Sequence, residues 1–238
     1  MESRGRRLRH ELKFFINYPQ YRILQKRLST ILKPDPFSDG NNEYHIRSLY
    51  FDDMYNSGLH EKLSGVMERN KYRIRIYNLD DQIIKLERKS KRGQYTEKRS
   101  SRISRDDYDR IMEGSVDFMM EREDPFLREV CLEFKHKMLK PVVIVDYVRE
   151  AYIHPMGNVR ITFDKELRTG LSSTDLFNKE LFTVRALDEP VLIMEVKYDN
   201  FLPGFIQVLL QENILQRMAI SKYTICRKFN KTNSWEDN

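Results

Sequence analysis

The chain has 238 residues, enough to bury a substantial core as one large or two small domains. Its 42 lysines and arginines against 36 acids leave a formal charge of +6, which suits an anionic partner and plain solubility equally, so only the placement of charge can be informative. Cys131 and Cys226 lack metal-ligand spacing and form no disulfide framework, and no apolar run approaches the roughly 18 residues of a membrane helix; a reduced, cytoplasmic protein is expected.

The elements alternate between two periods. "RHELKFFI" (9–16) reads as a strand, followed by a helix in "YPQYRILQKRLSTIL" with Pro19 in its first turn and apolar residues at Ile23, Leu24, Leu28, Ile31 and Leu32. Strands follow at 43–52, 71–78, 83–90 and 95–103. Ser104 is a good N-cap for a helix with Asp106 and Asp107 in its first turn and Gly114 past its end, and Asp124 with Pro125 opens another. Strands at 141–153, 159–167 and 190–198 precede a last apolar helix in "LPGFIQVLLQENIL". Few glycines and prolines leave little room for a linker, so the chain reads as a single domain over 1–238, with a core from about 9 to 228 and a disordered polar tail at 229–238. The class is α+β, with helices against a largely antiparallel sheet or barrel.

The strands share one peculiarity. Side chains alternate faces along a strand, and face after face carries cations: Arg9, Glu11 and Lys13 oppose Leu12, Phe14 and Ile16, while Arg73 and Arg75 oppose Tyr72, Ile74 and Ile76. Lys85, Glu87, Lys89 and Lys91 line a third strand, Lys98 and Arg102 a fourth, Tyr147 and Arg149 a fifth, and Arg160, Thr162 and Asp164 a sixth. Glu195 and Lys197 continue the face of Val191 and Ile193. On an open sheet such stripes are solvated; in a closed barrel they line a lumen whose like charge needs an anion, since burial costs several kcal/mol per ion. Periodicity alone leaves both open.

"HELKFFI", "LYFD", "YRIRIY", "LERK", "EKR", "DYVREAY", "VRITFD", "LIMEVKY" and "SKY", in that order, resemble the catalytic domain of the vacuolar transporter chaperone (VTC) polyphosphate polymerases, within the triphosphate tunnel metalloenzymes. The resemblance runs from about Arg9 to Tyr223. It implies an eight-stranded antiparallel closed β-barrel, basic inside, with helices packed outside. It also implies an Mn²⁺- or Mg²⁺-dependent transfer of the γ-phosphate of ATP onto inorganic polyphosphate. By position, Arg73, Arg75, Lys89, Arg149, Arg160 and Lys222 resemble the catalytic cations, and Lys13, Lys62, Lys98, Tyr147 and Lys197 resemble phosphate ligands. Glu195 resembles the metal-binding glutamate. Lys62 departs from the expected arginine, replacing a bidentate fork by a point charge. The first strand has Glu11 and Lys13 where hydrolytic tunnel enzymes tend to carry two glutamates before the lysine, which favours the polymerase branch. Unlike the eukaryotic relatives, the sequence carries neither a phosphate-sensing module nor membrane helices, which resembles a stand-alone bacterial version.

The alternatives are a tripolyphosphatase or nucleoside triphosphatase of the same fold, and a non-catalytic polyphosphate-binding module. Nucleic acid is not expected as a partner, because Tyr72, Ile74 and Ile76 lie opposite Arg73 and Arg75 and do not interleave with them for base stacking. Plainer roles remain for single residues: Arg73 and Arg75 in cross-strand ion pairs, Glu195 as a partner of Lys197, and Lys222 at a helix C-terminus.

Overall fold

The computed structural model describes residues 9–232 apart from 39, 94, 188–189 and 211–214, and the side chains at 231–232. The eight expected strands are present as β1 (His10–Asn17), β3 (Glu43–Asp52), β4 (Glu68–Tyr77), β5 (Asp80–Arg92), β6 (Tyr95–Ile103), β7 (Lys140–His154), β8 (Val159–Thr169) and β10 (Val191–Tyr198). Two-residue strands β2 (Lys33–Pro34) and β9 (Val184–Arg185) flank β7 and β8, making one antiparallel sheet of ten strands. Seven helices accompany it among the described residues: α1 (Tyr18–Ser29), α2 (Ser57–Leu63), α3 (Arg105–Met112), α4 (Phe118–Glu121), α5 (Pro125–Lys137), α6 (Gly204–Leu210) and α7 (Lys222–Thr232).

Helix boundaries follow local chemistry. Asn17 and Gln20 form a reciprocal capping box at α1, as do Ser104 and Asp107 at α3, and Asp124 accepts from the Phe126 amide at α5. Asp52 at the end of β3 accepts from the Gly58 and Leu59 amides and so seats the first turn of α2. The last expected helix is described only as α6, and its continuation through 211–214 lies outside the described residues. After it α7 runs to Thr232, through part of the expected tail; positions 233–238 lie outside the described residues.

The strand order β1-β10-β8-β7-β3-β4-β5-β6 corrects the expectation of a closed eight-stranded barrel. Among the described residues no ladder joins β6 to β1. The physical reason is that another segment takes the outer edge of β1: Phe14 bridges Arg217, and the Met218 amide donates to the Lys13 carbonyl at 2.9 Å. The sheet still curls far enough for Lys89 on β5 to donate to Glu11 on β1 at 2.8 Å, although these strands stand seventh and first in the order. Side chains, not backbone, span the gap.

Three apolar clusters organise the layers. On the convex side, Leu49, Ile74, Ile76, Ile84 and Leu86 pack against Tyr108 of α3, Met119 of α4 and Val130 and Phe134 of α5. Also on that side, Leu12, Phe14, Ile161, Phe163 and Met194 pack against Tyr21 and Leu24 of α1 and Ile206 of α6. The third cluster lies on the concave side, where Leu59 of α2 and Tyr223 and Cys226 of α7 meet Tyr50, Val143, Val145, Tyr147 and Ile193. Helices therefore do not sit only outside. The alternation holds, but part of the inner face is apolar and is covered by α7.

Candidate anion site on the concave face

Period two turns one side chain in two of each strand inward, and the curl brings these rows together. Glu195 of β10 is the most connected inward acid. Lys222 donates to its Oε1 at 2.7 Å, Lys13 lies 3.5 Å from the same oxygen, and Lys197 and Arg149 lie 3.0 and 3.9 Å from Oε2. Arg149 grips Asp164 of β8 through two bonds of 2.6 and 2.8 Å, and Lys222 also bonds Asp164. Glu11 joins Lys13, Lys89 and Lys197 at 3.5, 2.8 and 3.7 Å. Toward β4, Glu87 accepts from Arg73 and Lys98, both at 2.7 Å, while Arg73 reaches the Tyr50 hydroxyl at 2.8 Å. Arg75 donates to Ser48 Oγ at 3.0 Å and the Tyr147 hydroxyl at 3.2 Å.

Lys222 arrives here because α7 presents Lys222, Cys226 and Asn230 on one helical face, with Cys226 pointing to the Arg168 carbonyl and Asn230 bonded to Thr169. It is the first residue of its helix, not a C-terminal cap. Ser221 precedes it and accepts from the Thr224 amide.

Electrostatics follow from this packing. Burial works against the charge of Glu195, yet Lys13, Lys197, Lys222 and Arg149 outweigh it and hold the carboxyl well below the usual range. Burial likewise opposes the charge of Asp164 and of Glu87, and their cations again prevail and lower both. The lysines divide. Burial would discharge Lys222, but Asp164 and Glu195 hold it above the ordinary lysine value. Lys89 is pushed down to about 8 by burial and then by Lys13, with Glu11 compensating only in part. Burial takes Lys98 to about 8 despite Glu87.

The expected residues thus converge on the inner face, with the Lys98 side chain 46% exposed at its margin. Lys13, Arg73, Arg75, Lys89, Lys98, Tyr147, Arg149, Glu195, Lys197 and Lys222 form one concave patch. Arg160 stands opposite Lys197 in register at the edge of this patch, bonded to Asp35 and to Tyr44 at 2.8 Å, and Lys62 caps the Ala219 carbonyl at 3.3 Å outside the ion-pair network. The plainer reading of Arg73 as a cross-strand partner is also true, since Glu87 is its register neighbour. Sequence reasoning read the acids of the stripes only collectively, as candidate metal ligands, and singled out neither Glu87, Asp164 nor Lys71, although each carries the inward parity of an expected residue on its own strand; here Glu11, Glu87 and Asp164 are partners of cations. Tyrosines also line the inner face, against the expectation drawn from Tyr72, but cations already cover them: Arg149 and Lys222 lie 5.3 and 5.1 Å from the Tyr147 ring, and Arg73 lies 5.6 Å from Tyr50.

For a metal, the donor set fits only in part. Among the described residues no group of three acidic, histidine or cysteine side chains is arranged to hold an ion. Glu195 with Asp164 beside it offers hard carboxylate oxygens of the kind Mg²⁺ or Mn²⁺ takes alongside substrate phosphates, but every such oxygen now faces an ammonium or guanidinium. A metal would have to replace one of those cations.

In the patch the cations are paired with internal carboxylates, and comparison with known proteins agrees with the fold that carries it. A protein from Hippeastrum, provisionally named an adenylyl cyclase and described as having a dominant triphosphatase activity, superposes with a TM-score of 0.53 at 14% identity, covering 93% of this chain and 95% of its own. One from Bacillus halodurans, provisionally named an adenylate cyclase, gives 0.52 at 10% identity over 90% and 95%. At such identities the likeness is one of fold. No curated protein sequence matches. The VTC domain model matches residues 8–230, nearly the whole length, and the chain therefore belongs to the VTC domain family.

Proposed function

We propose that this protein is a polyphosphate polymerase that transfers the γ-phosphate of ATP onto a growing inorganic polyphosphate chain. The observation that carries this reading is the convergence of Lys13, Arg73, Arg75, Lys89, Lys98, Arg149, Lys197 and Lys222 on one concave patch, more cations than a single triphosphate pairs. A donor and an acceptor held in line need that number; a hydrolase needs one triphosphate and a water.

The side chains bind and orient. Arg149 and Lys222 hold one phosphate group beside Tyr147, and Arg73 and Arg75 hold the next, with charge-assisted bonds of about 1.5–3 kcal/mol each offsetting the loss of the present carboxylate partners. Lys13 and Lys89 sit beside Glu11, ready to change from carboxylate to phosphate. The attacking group is a terminal phosphate, already ionised near neutral pH, so no side chain is asked to remove a proton. Glu195, with Asp164, would hold Mn²⁺ or Mg²⁺, which when bound neutralises charge on the phosphate oxygens.

Incubation with ATP and Mn²⁺ tests this. A gel should show a ladder of long polyphosphate after a lag that short primer abolishes, and replacing both Arg73 and Arg75 by Ala should stop it. ADP and free phosphate alone, with primer shortened, would instead establish the triphosphatase reading, the activity described for the Hippeastrum protein.

A further inference from the structure

Helix α6, "GFIQVLL", carries no charged side chain, and only one side of it is buried, through Ile206 and Leu210 in the cluster it shares with α1. On its other side Phe205 and Val208, three positions apart and therefore on one face, reach solvent, Val208 at 75% exposure. Phe201 just before the helix is 56% exposed, and Met156 in the tight turn 156–158 is 53% exposed. The same backbone contacts hold these segments together. The Phe205 ring packs edge-on against His154 at 5.2 Å, and the Phe201 carbonyl approaches Gly157 so closely that a Cβ there would lie 2.6 Å from it. Single apolar residues on a surface are ordinary; a cluster of them around an uncharged helix marks a contact face.

The rim of this face is basic. Arg9 donates to the Asn158 carbonyl and pairs with Asp199 at 3.0 Å, which ties the start of β1 to the same turn. Asp199 is thereby neutralised, and it also accepts from the Asn158 side chain at 3.1 Å. Residues 1–9 hold Arg4, Arg6, Arg7 and Arg9 against the single acid Glu2, and covalent reach alone keeps Arg6 and Arg7 within about 11 Å of Arg9. Beside α6, helix α1 contains no acid and exposes Arg22, Ile23 and Lys26.

We propose that α6, with Phe201 and Met156, is a docking face for an anionic lipid bilayer, assisted by Arg4, Arg6, Arg7 and Arg9. Apolar side chains projecting from an uncharged helix reach the acyl boundary, while cations at the rim meet headgroup phosphates. A second copy of the chain fits less well, because an isologous contact sets this face against itself and brings arginine against arginine. The face lies on the convex side, and the sheet separates it from the cations around Glu195, so the inference does not rest on the polymerase reading.

Sedimentation of the whole chain with vesicles tests this, using phosphatidylcholine alone and phosphatidylcholine with phosphatidylglycerol, each with and without tripolyphosphate at constant ionic strength. Wild type should bind the anionic vesicles at least about tenfold more tightly than the neutral ones, less tightly as salt rises, and equally well with tripolyphosphate present. Val208→Glu and Phe201→Ser should each weaken binding about tenfold, and Arg6→Gln and Arg7→Gln about fivefold each. Val208 is mostly exposed, so Val208→Glu should keep the thermal midpoint and the tripolyphosphate affinity of wild type. Absence of vesicle binding would overturn the proposal. So would binding that tripolyphosphate abolishes and Val208→Glu leaves intact, which would place the lipid phosphates in the concave patch. A lipid-free dimer in light scattering that Val208→Glu dissociates would give the face to a second copy and overturn it equally. Absence of a polyphosphate ladder while vesicle binding persists would strike the polymerase reading alone.

Discussion

At the scale of single residues, Glu195 has two separable duties. It balances Lys13, Lys197, Lys222 and Arg149, and it is the carboxylate proposed for the metal. Replacing it by Gln removes a negative charge while keeping shape, so anion binding should persist or tighten because the four cations lose a competitor. Turnover should nevertheless fall on the order of a hundredfold, the size expected when several kcal/mol of metal assistance is lost. Titrating Mn²⁺ against turnover, with phosphate binding measured alongside, separates the duties. Wild-type turnover and metal dependence in Glu195→Gln would leave only charge balance. Asp164 keeps Arg149 and Lys222 paired in that variant, which favours retention of the fold.

At the scale of elements, the site depends on how strands and helices end. Asp52 ties β3 to α2 through the Gly58 and Leu59 amides and also accepts from the Tyr223 hydroxyl, so one carboxylate seats both helices that cover the inner face. On the convex side α3 is held by its capping box, remote from the cations. Ser104→Ala should therefore cost about 1 kcal/mol of stability, seen as a lower denaturation midpoint at unchanged slope, with no change in phosphate affinity. A matching loss of affinity would mean that α3 positions the site. The cap was legible from "SRDD". α7 was not, because "SKYTICRKFNKT" mixes apolar and basic residues without a clear stripe, and its inward face is defined only by the strands it meets.

At the scale of the molecule, the concave face works as one titrating field. Lys89 and Lys98 each sit near pKa 8 in the free protein, and a bound polyanion raises both, so the bound form carries more protons. Binding is then strongest below pH 8 and weakens as pH rises through 8 toward the ordinary lysine range. The same depressed values mean that the empty protein gains stability over that window, because the unfolded chain retains protons there that the folded chain has lost. Affinity for tripolyphosphate measured across this range at constant salt checks the sign; affinity that is flat or rises would show that these two lysines do not contact the ligand.

Much of this was decided locally. Alternation determined the eight long strands and which side chains share a face, because a period of two needs no partner to be read, and the order of motifs was enough to identify the family that the VTC domain match bears out. Pairing was not legible. That Glu87 meets Arg73 and Lys98, that Asp164 clasps Arg149, and that Lys222 reaches Glu195 depends on register and curl, which bring together residues between 11 and 27 positions apart. Closure was likewise a tertiary matter. Nothing in "HELKFFI" shows that Arg217 and Met218 take the edge of β1, yet that contact leaves the sheet open between β1 and β6 and lets the side chains of Lys89 and Glu11 cross the gap. The sequence could place the charge on a face; only the folded chain could determine which charges neutralise one another, because neutralisation depends on distance across strands and the amino-acid order carries only distance along them.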